Sequence, residues 1–160
     1  MNTAYLSLGS NLNDREENLR RALELIESPE VHLKCVSSIY ETEPQDLREQ
    51  PWFLNLVAEV ETTLFPMQLL RRVRKIEKEL GRQRLVPKGP RTVDIDILLF
   101  GRFVMDSPAL QVPHPRMQDR RFVLEPLAEI APELRHPVTR RPIRELLHAT
   151  SGQIVRRFQS

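Results

Sequence analysis

In the first hundred residues the spacing of apolar side chains switches between every second position and every third or fourth. That switching fixes an order of elements. "AYLSL" (4–8) alternates Ala4, Leu6 and Leu8 with Tyr5 and Ser7, which predicts a strand. Leu19, Ala22, Leu23 and Ile26 share one helical face, with Asn13 and Glu16 spaced as a cap and its partner and Pro29 past the end. "VHLKCVSSIY" (31–40) alternates again, with Val31, Leu33, Cys35 and Ile39 on one side. In "FLNLVAEVET" (53–62), Leu54, Leu56, Ala58 and Val60 face one way and Asn55, Val57, Glu59 and Glu61 the other. Pro66 opens a second helix with the stripe Leu69, Leu70, Val73, Ile76 and Leu80, closed by Gly81 as C-cap. A strand over 92–100 follows. This βαββαβ order is that of a ferredoxin-like α+β sandwich, a mostly antiparallel sheet with helices packed on it. The residues after 100 predict a C-terminal elaboration: a proline-bounded loop, helices near 126–131 and 142–149, and a last strand in "IVRRF".

A chain of 160 residues suits one domain, 1–160, large enough to bury a core unaided. A net charge of +2 is too mild for general nucleic-acid binding, although it permits a local basic site. The one cysteine, Cys35, excludes an intrachain disulfide and is expected as a small buried strand residue. "MNTAYLSLGSNL" lacks the basic start and apolar length of a signal peptide, and no apolar run nears the ~20 residues of a membrane span. A cytoplasmic chain with no membrane or nucleic-acid partner is the expectation.

The stretch "GPRTVDIDILLFG" (89–101) sets Asp94 and Asp96 into an apolar run. On a strand, positions i and i+2 share a face about 6.6 Å apart, so the two carboxylates lie side by side, with Leu98 and Phe100 following on that face. Val93, Ile95, Ile97 and Leu99 take the other. Adjacent carboxylates repel unless cations compensate them, and either basic side chains or a hard ion such as Mg²⁺ would do so. Alone, D-x-D also fits a solvated strand face. The preceding loop, "GRQRLVPKGPR", carries Arg82, Arg84, Lys88 and Arg91 and no acid. Cations joined directly to metal-binding carboxylates suit a polyphosphate with bound metal.

Two further groups qualify. In "VPHPRMQDRRF", prolines hold His114 in an extended segment, and Arg116, Arg120 and Arg121 follow. In "QPWFLN", Phe53 and Asn55 share a strand face and, like Phe122, could stack on or hydrogen-bond a flat heterocycle; Trp52 is expected in the core. His32, His136 and His148 show no metal-ligand spacing, so zinc is not expected. Neither G-x-x-x-x-G-K-[ST] nor G-x-G-x-x-G occurs, so a bound nucleotide would be held by cationic side chains and metal.

With "AYLSLGSNL", "QPWFLN", "GPRTVDIDILLFG" and "VPHPRM…RRFVLEPLAEIAP" in this order, the chain resembles the 6-hydroxymethyl-7,8-dihydropterin pyrophosphokinase family nearly end to end. The resemblance implies the same ferredoxin-like fold. It implies transfer of the pyrophosphoryl group of ATP to the pterin hydroxymethyl oxygen, with release of AMP. It also implies two Mg²⁺ ions on Asp94 and Asp96, and catalytic roles for those aspartates with Arg82 and Arg91. The implied ATP site comprises Glu77, Arg82, Arg84, Lys88, Arg91, His114, Arg116 and Arg120. Thr42, Pro44, Phe53, Asn55 and Phe122 correspond to the pterin pocket. The partners implied are the two small-molecule substrates, and the expected state is a monomer. Arg74 stands where some relatives have glutamine. An RNA-binding or ATP-sensing module on the same fold, without catalysis, is the alternative.

Overall fold

The computed structural model describes residues 1–43, 51–81 and 92–159. The strands are β1 (Asn2–Ser10), β2 (Val31–Val36), β3 (Tyr40–Thr42), β4 (Phe53–Thr62), β5 (Asp94–Phe100), β6 (Met105–Asp106), β7 (Gln111–Val112) and β8 (Val155–Arg157). The helices are α1 (Arg15–Ile26), α2 (Pro66–Glu79), α3 (Arg121–Ile130) and α4 (Ile143–His148), with a short 3₁₀ turn at Met117–Asp119. The main sheet runs β5-β1-β4-β3-β8, with β2 also on β4, and every pairing in it is antiparallel. The first strand thus lies centrally between the third and fourth of the βαββαβ unit, as the ferredoxin-like order requires.

Local chemistry explains the helix ends. Asp14 caps α1, its Oδ1 accepting the Glu17 N–H at 3.2 Å, and Glu16 and Glu17 sit favourably in the positive first turn. The cap is therefore Asp14; Asn13 takes φ +60° and turns the chain into it. At α2, Pro66 sits in the first turn, and the Phe65 N–H donates to Gln68 Oε1 at 2.8 Å. Just past its end, Gly81 adopts φ +79°, a conformation costly for a residue with a Cβ.

Two apolar cores flank the sheet. Ala4, Leu6, Leu8, Leu54, Leu56, Ala58 and Val60 pack on α1 and α2 through Leu19, Ala22, Ile26, Leu69, Val73 and Ile76. Tyr5, Val57, Leu98 and Leu99 pack on α3 and α4 through Val123, Leu124, Leu127, Ile143 and Leu146. The C-terminal elaboration therefore covers part of the sheet face that α1 and α2 leave open.

Three strand expectations are corrected. The span 31–40 is two strands, because the chain leaves the ladder between Val36 and Tyr40. A bulge between Leu33 and Cys35 shifts the parity, so Cys35 pairs with Glu59 and is exposed rather than buried. In β5 the ladder steps from Tyr5↔Leu99 to Leu6↔Ile97, skipping Leu98. Phe100 thereby joins Ile95 and Ile97 in the α1/α2 core, and Leu99 joins the other core, the reverse of strict alternation. A lost ladder bond costs roughly 1 kcal/mol net, less than the ~1.5–3 kcal/mol from burying any one of these side chains.

The elaboration differs in detail too. α3 begins at Arg121 and runs through Pro126, whose missing N–H costs one helical bond while its ring is buried. Buried His136 organises the turn before α4: its Nδ1 accepts the Val138 and Thr139 N–H groups, each at 3.2 Å. Burial holds its pKa below the ordinary histidine value. The unfolded chain therefore takes up a proton near pH 6.5 that the folded chain resists, and stability falls as pH drops below that point. Urea denaturation between pH 7.5 and 5.5 should show this fall, and His136→Asn should make the curve flatter across that window.

Candidate active site

The register of β1 brings the candidate residues together. Gly9 pairs with Asn55 on one side and Asp94 on the other; Ser7 pairs with Val57 and Asp96. Tyr5, on the same face of β1, lies in the core against α3 and α4. Asp94, Asp96 and Asn55 therefore share the face opposite α1 and α2, beyond the end that the C-terminal helices cover. Both aspartates are half-buried.

Gly9 forms the floor between them. A Cβ there would lie 2.9 Å from Asn55 Oδ1 and 3.6 Å from the Phe53 ring. Asn55 is buried, and its Nδ2 donates to Thr42 Oγ1 at 2.8 Å. That bond directs Oδ1 toward the space over Gly9. Thr42 pairs with Phe53, so Thr42, Phe53 and Asn55 form one cluster.

At the carboxylates, Glu77 is 1 % exposed and accepts the Ile95 N–H on Oε2 at 2.8 Å. Its Oε1 accepts Arg74 Nη1 at 2.9 Å, which meets the cost of burying the charge. Glu77, expected beside the nucleotide, thus has its carboxylate on the backbone between the two aspartates.

The bulged Leu98 carbonyl accepts the His114 N–H at 2.8 Å, which brings the "VPHPRM" segment to β5. His114 Nδ1 accepts the Arg116 N–H at 3.2 Å, so the neutral ring carries its proton on Nε2. Burial, aided by Arg120 and Arg116 and opposed by Asp96, keeps this histidine below its ordinary pKa. Arg120 lies over the Phe122 ring at 5.4 Å, at the start of α3, while Arg116 is exposed. Phe122 packs on the core that holds Val57.

Of the residues expected in the site, Pro44, Arg82, Arg84, Lys88 and Arg91 lie outside the described residues. The structure brings Thr42, Phe53, Asn55, Asp94 and Asp96 onto one sheet face, with Glu77 and His114 against β5. Two features lay beyond sequence reasoning. A pocket of about 310 Å³ opens between α2 and the segment after β6, lined by Leu70, Arg74, Asp96, Ile97, Ser107 to Gln111, His114 and Pro115. Leu70 read only as core stripe, and nothing in "DSPALQV" signals a pocket wall. The second is a polar knot on the other side of β3. Arg15 Nη1 donates to Glu41 Oε2 at 2.9 Å and to the Trp52 carbonyl at 2.7 Å, and Arg156 pairs with Glu41 and lies 4.7 Å over the Trp52 ring. Trp52, expected in the core, is half-buried beneath that guanidinium.

No cluster of three or more His, Cys, Asp or Glu suited to a metal occurs among the described residues. Two carboxylates alone fit a hard cation that completes its shell with water and substrate oxygens, as Mg²⁺ does, and not a structural zinc.

The family model described as 7,8-dihydro-6-hydroxymethylpterin-pyrophosphokinase (HPPK) matches residues 5–132. The chain is 50% identical over 139 residues to the 2-amino-4-hydroxy-6-hydroxymethyldihydropteridine pyrophosphokinase of Bacillus subtilis, covering 86% of this chain and 83% of that one. It is 42% identical to the folic acid synthesis protein fol1 of Schizosaccharomyces pombe, covering 98% of this chain but only 22% of that longer one. A Plasmodium falciparum HPPK-DHPS crystal structure superposes with a TM-score of 0.77 at 18% identity, covering 92% of this chain and 45% of that one. That likeness shows the fold.

If Gly9 is the floor described, Gly9→Ala should push Asn55 off Thr42 and lower the melting temperature, by an amount equivalent to about 1–3 kcal/mol. Adding Asn55→Ser should recover part of that loss, because the clash is with the longer amide. Thermal denaturation of the two single variants and the double variant measures the coupling.

Proposed function

The chain belongs to the 7,8-dihydro-6-hydroxymethylpterin-pyrophosphokinase family, and on that premise we propose that it transfers the pyrophosphoryl group of ATP to 6-hydroxymethyl-7,8-dihydropterin. The reaction serves folate biosynthesis. The pterin hydroxymethyl oxygen attacks the β-phosphorus of ATP. The bond from that phosphorus to the α–β bridging oxygen breaks, AMP leaves with the electron pair, and the hydroxyl proton passes to solvent. The observation that carries the reading is the register placing Asn55 and Asp94 on opposite sides of Gly9. A flat ring beside Asn55 would have its hydroxymethyl group directed at phosphates beside the carboxylates.

Asn55 Oδ1 accepts from the polar edge of the pterin, Thr42 fixes that amide, and Phe53 and Phe122 take the ring faces. Pro44 completes this pocket. The pocket of about 310 Å³ beside Asp96 suits the nucleotide base, with Leu70 and Ile97 as apolar walls. His114 donates from Nε2 toward a phosphate, and Arg116 and Arg120 add positive charge. Arg82, Arg84, Lys88 and Arg91 complete the phosphate contacts.

Asp94 and Asp96 would hold Mg²⁺, two ions on this reading, and when bound these offset the negative charge growing on AMP and the transferred group. No side chain need act as general base; the chain works by orienting two bound substrates, for which alignment alone contributes several kcal/mol. Glu77 supports this by holding the strand between the two aspartates. The unit proposed is residues 1–160 acting as a cytoplasmic monomer, with its exposed Cys35 suited to a reducing compartment. The RNA-binding alternative is not favoured: the sheet face presents Asp94 and Asp96, which repel phosphate unless a cation intervenes.

Purified protein should form AMP from ATP only with both Mg²⁺ and the hydroxymethylpterin present, and EDTA should stop it. Release of ADP would refute the reading. Asp96→Asn should lower turnover by about 10³-fold or more while the melting temperature holds or rises, because carboxylate repulsion is relieved. Asn55→Ala should raise the pterin KM by roughly 10-fold or more and leave the ATP KM unchanged.

A further inference from the structure

We propose that Arg74 is a positioning residue for the two site carboxylates, and that with Glu77 it does for Ile95 what a neighbouring strand would do. The inference rests on the reading of Asp94 and Asp96 as the metal seat. Among the described residues, β5 is the last strand of the main sheet on its side, paired only with β1 in that sheet. An edge strand leaves every second residue's backbone groups pointing outward, to water or to another partner. At Ile95, between the two aspartates, both groups are taken by side chains of α2. The N–H donates to Glu77 Oε2 at 2.8 Å, and the carbonyl accepts Arg74 Nη1 at 2.9 Å. The same Nη1 donates to Glu77 Oε1 at 2.9 Å, which locks the two side chains into one unit.

This arrangement acts on the carboxylates through the backbone. The peptide before Ile95 carries Asp94, and the peptide after it carries Asp96. Fixing the N–H of one and the carbonyl of the other fixes the separation of the two side chains. The pair also tolerates its own burial. Glu77 is 1 % exposed, whereas the Arg74 side chain is 45 % exposed and lines the pocket beside Asp96. The arginine therefore keeps one face in solvent while neutralising a carboxylate that could not stay charged alone. Without it, Glu77 would lose the Arg74 ion pair, Ile95 its carbonyl donor, and the two aspartates their set spacing.

The test separates positioning from direct contact with the nucleotide. Mn²⁺ binding would be followed by electron paramagnetic resonance with α,β-methylene-ATP, which blocks the bond that breaks; analogue binding without metal would be followed by calorimetry. Outer-shell partners of metal ligands typically change metal affinity 10- to 100-fold. Arg74→Met should therefore weaken Mn²⁺ binding about 10-fold or more, well beyond any loss of metal-free analogue affinity that its place in the pocket wall brings. Arg74→Lys, which can still reach the Ile95 carbonyl and Glu77, should restore most of the Mn²⁺ affinity, with Arg74→Gln falling between. Equal loss of analogue affinity with and without metal would overturn the proposal in favour of direct contact. Unchanged Mn²⁺ binding in a folded Arg74→Met would overturn it outright. Asp96→Asn marks the other failure: if wild-type Mn²⁺ binding survives that substitution, the metal-seat reading falls first.

Discussion

The pairing of β1 with both β4 and β5 is the constraint on which everything else depends. One strand, antiparallel to each neighbour, sets two registers at once. It places Gly9 between Asn55 and Asp94, and Ser7 between Val57 and Asp96. A one-residue slip on either side would turn those polar groups into the α1/α2 core and expose the apolar ones. Leu6 and Leu8, fully buried on the other face, make such a slip costly by several kcal/mol. The same hydrophobic burial that stabilises the sheet therefore holds the site in register.

The bulge at Leu98 couples that register to the rest of the site. By skipping one residue, β5 commits Leu99 and Phe100 to opposite cores and turns the Leu98 carbonyl outward to His114. A packing device thus recruits a segment far along the chain to the carboxylates. The C-terminal elaboration is attached in the same manner. Glu129 accepts the Ser38 N–H at 3.0 Å and the Tyr40 hydroxyl at 2.6 Å, which ties α3 to the strand that carries Thr42.

Electrostatics near the site follow one pattern. Two of the buried or half-buried carboxylates have partners close in space that are distant or inconspicuous in sequence. Glu77 is met by Arg74, and Glu41 by Arg15 and Arg156. Hydrogen bonds from the two arginines keep the Glu41 carboxyl below its usual range, against the opposing effect of burial. Such pairs contribute little as surface ion pairs but matter as fixed geometry, because removing one member leaves a buried charge uncompensated.

Much was legible in the sequence. Hydrophobic period gave the βαββαβ order, since the period reports which face of each element is buried. The i, i+2 spacing put Asp94 and Asp96 side by side, and the alternation of "FLNLVAEVET" separated Asn55 from the α1/α2 core. Those readings hold because they depend only on local backbone geometry. Tertiary structure decided the rest. The bulges at Leu98 and after Leu33 reversed local parity; at Leu98 burying more apolar surface outweighed a ladder bond, and a single sequence does not reveal that balance. Cys35 came out exposed because the bulge before it moves it off the face that Val31 occupies. The roles of Arg74 and Glu77 were hidden too: on α2 they are merely residues at i and i+3, and only the packing of that helix against the edge of β5 brings them to the two backbone groups of Ile95. Sequence determined which residues could carry the chemistry, because residue type and local spacing suffice for that. Only the folded chain decided what holds them, because the partners come together through register and packing.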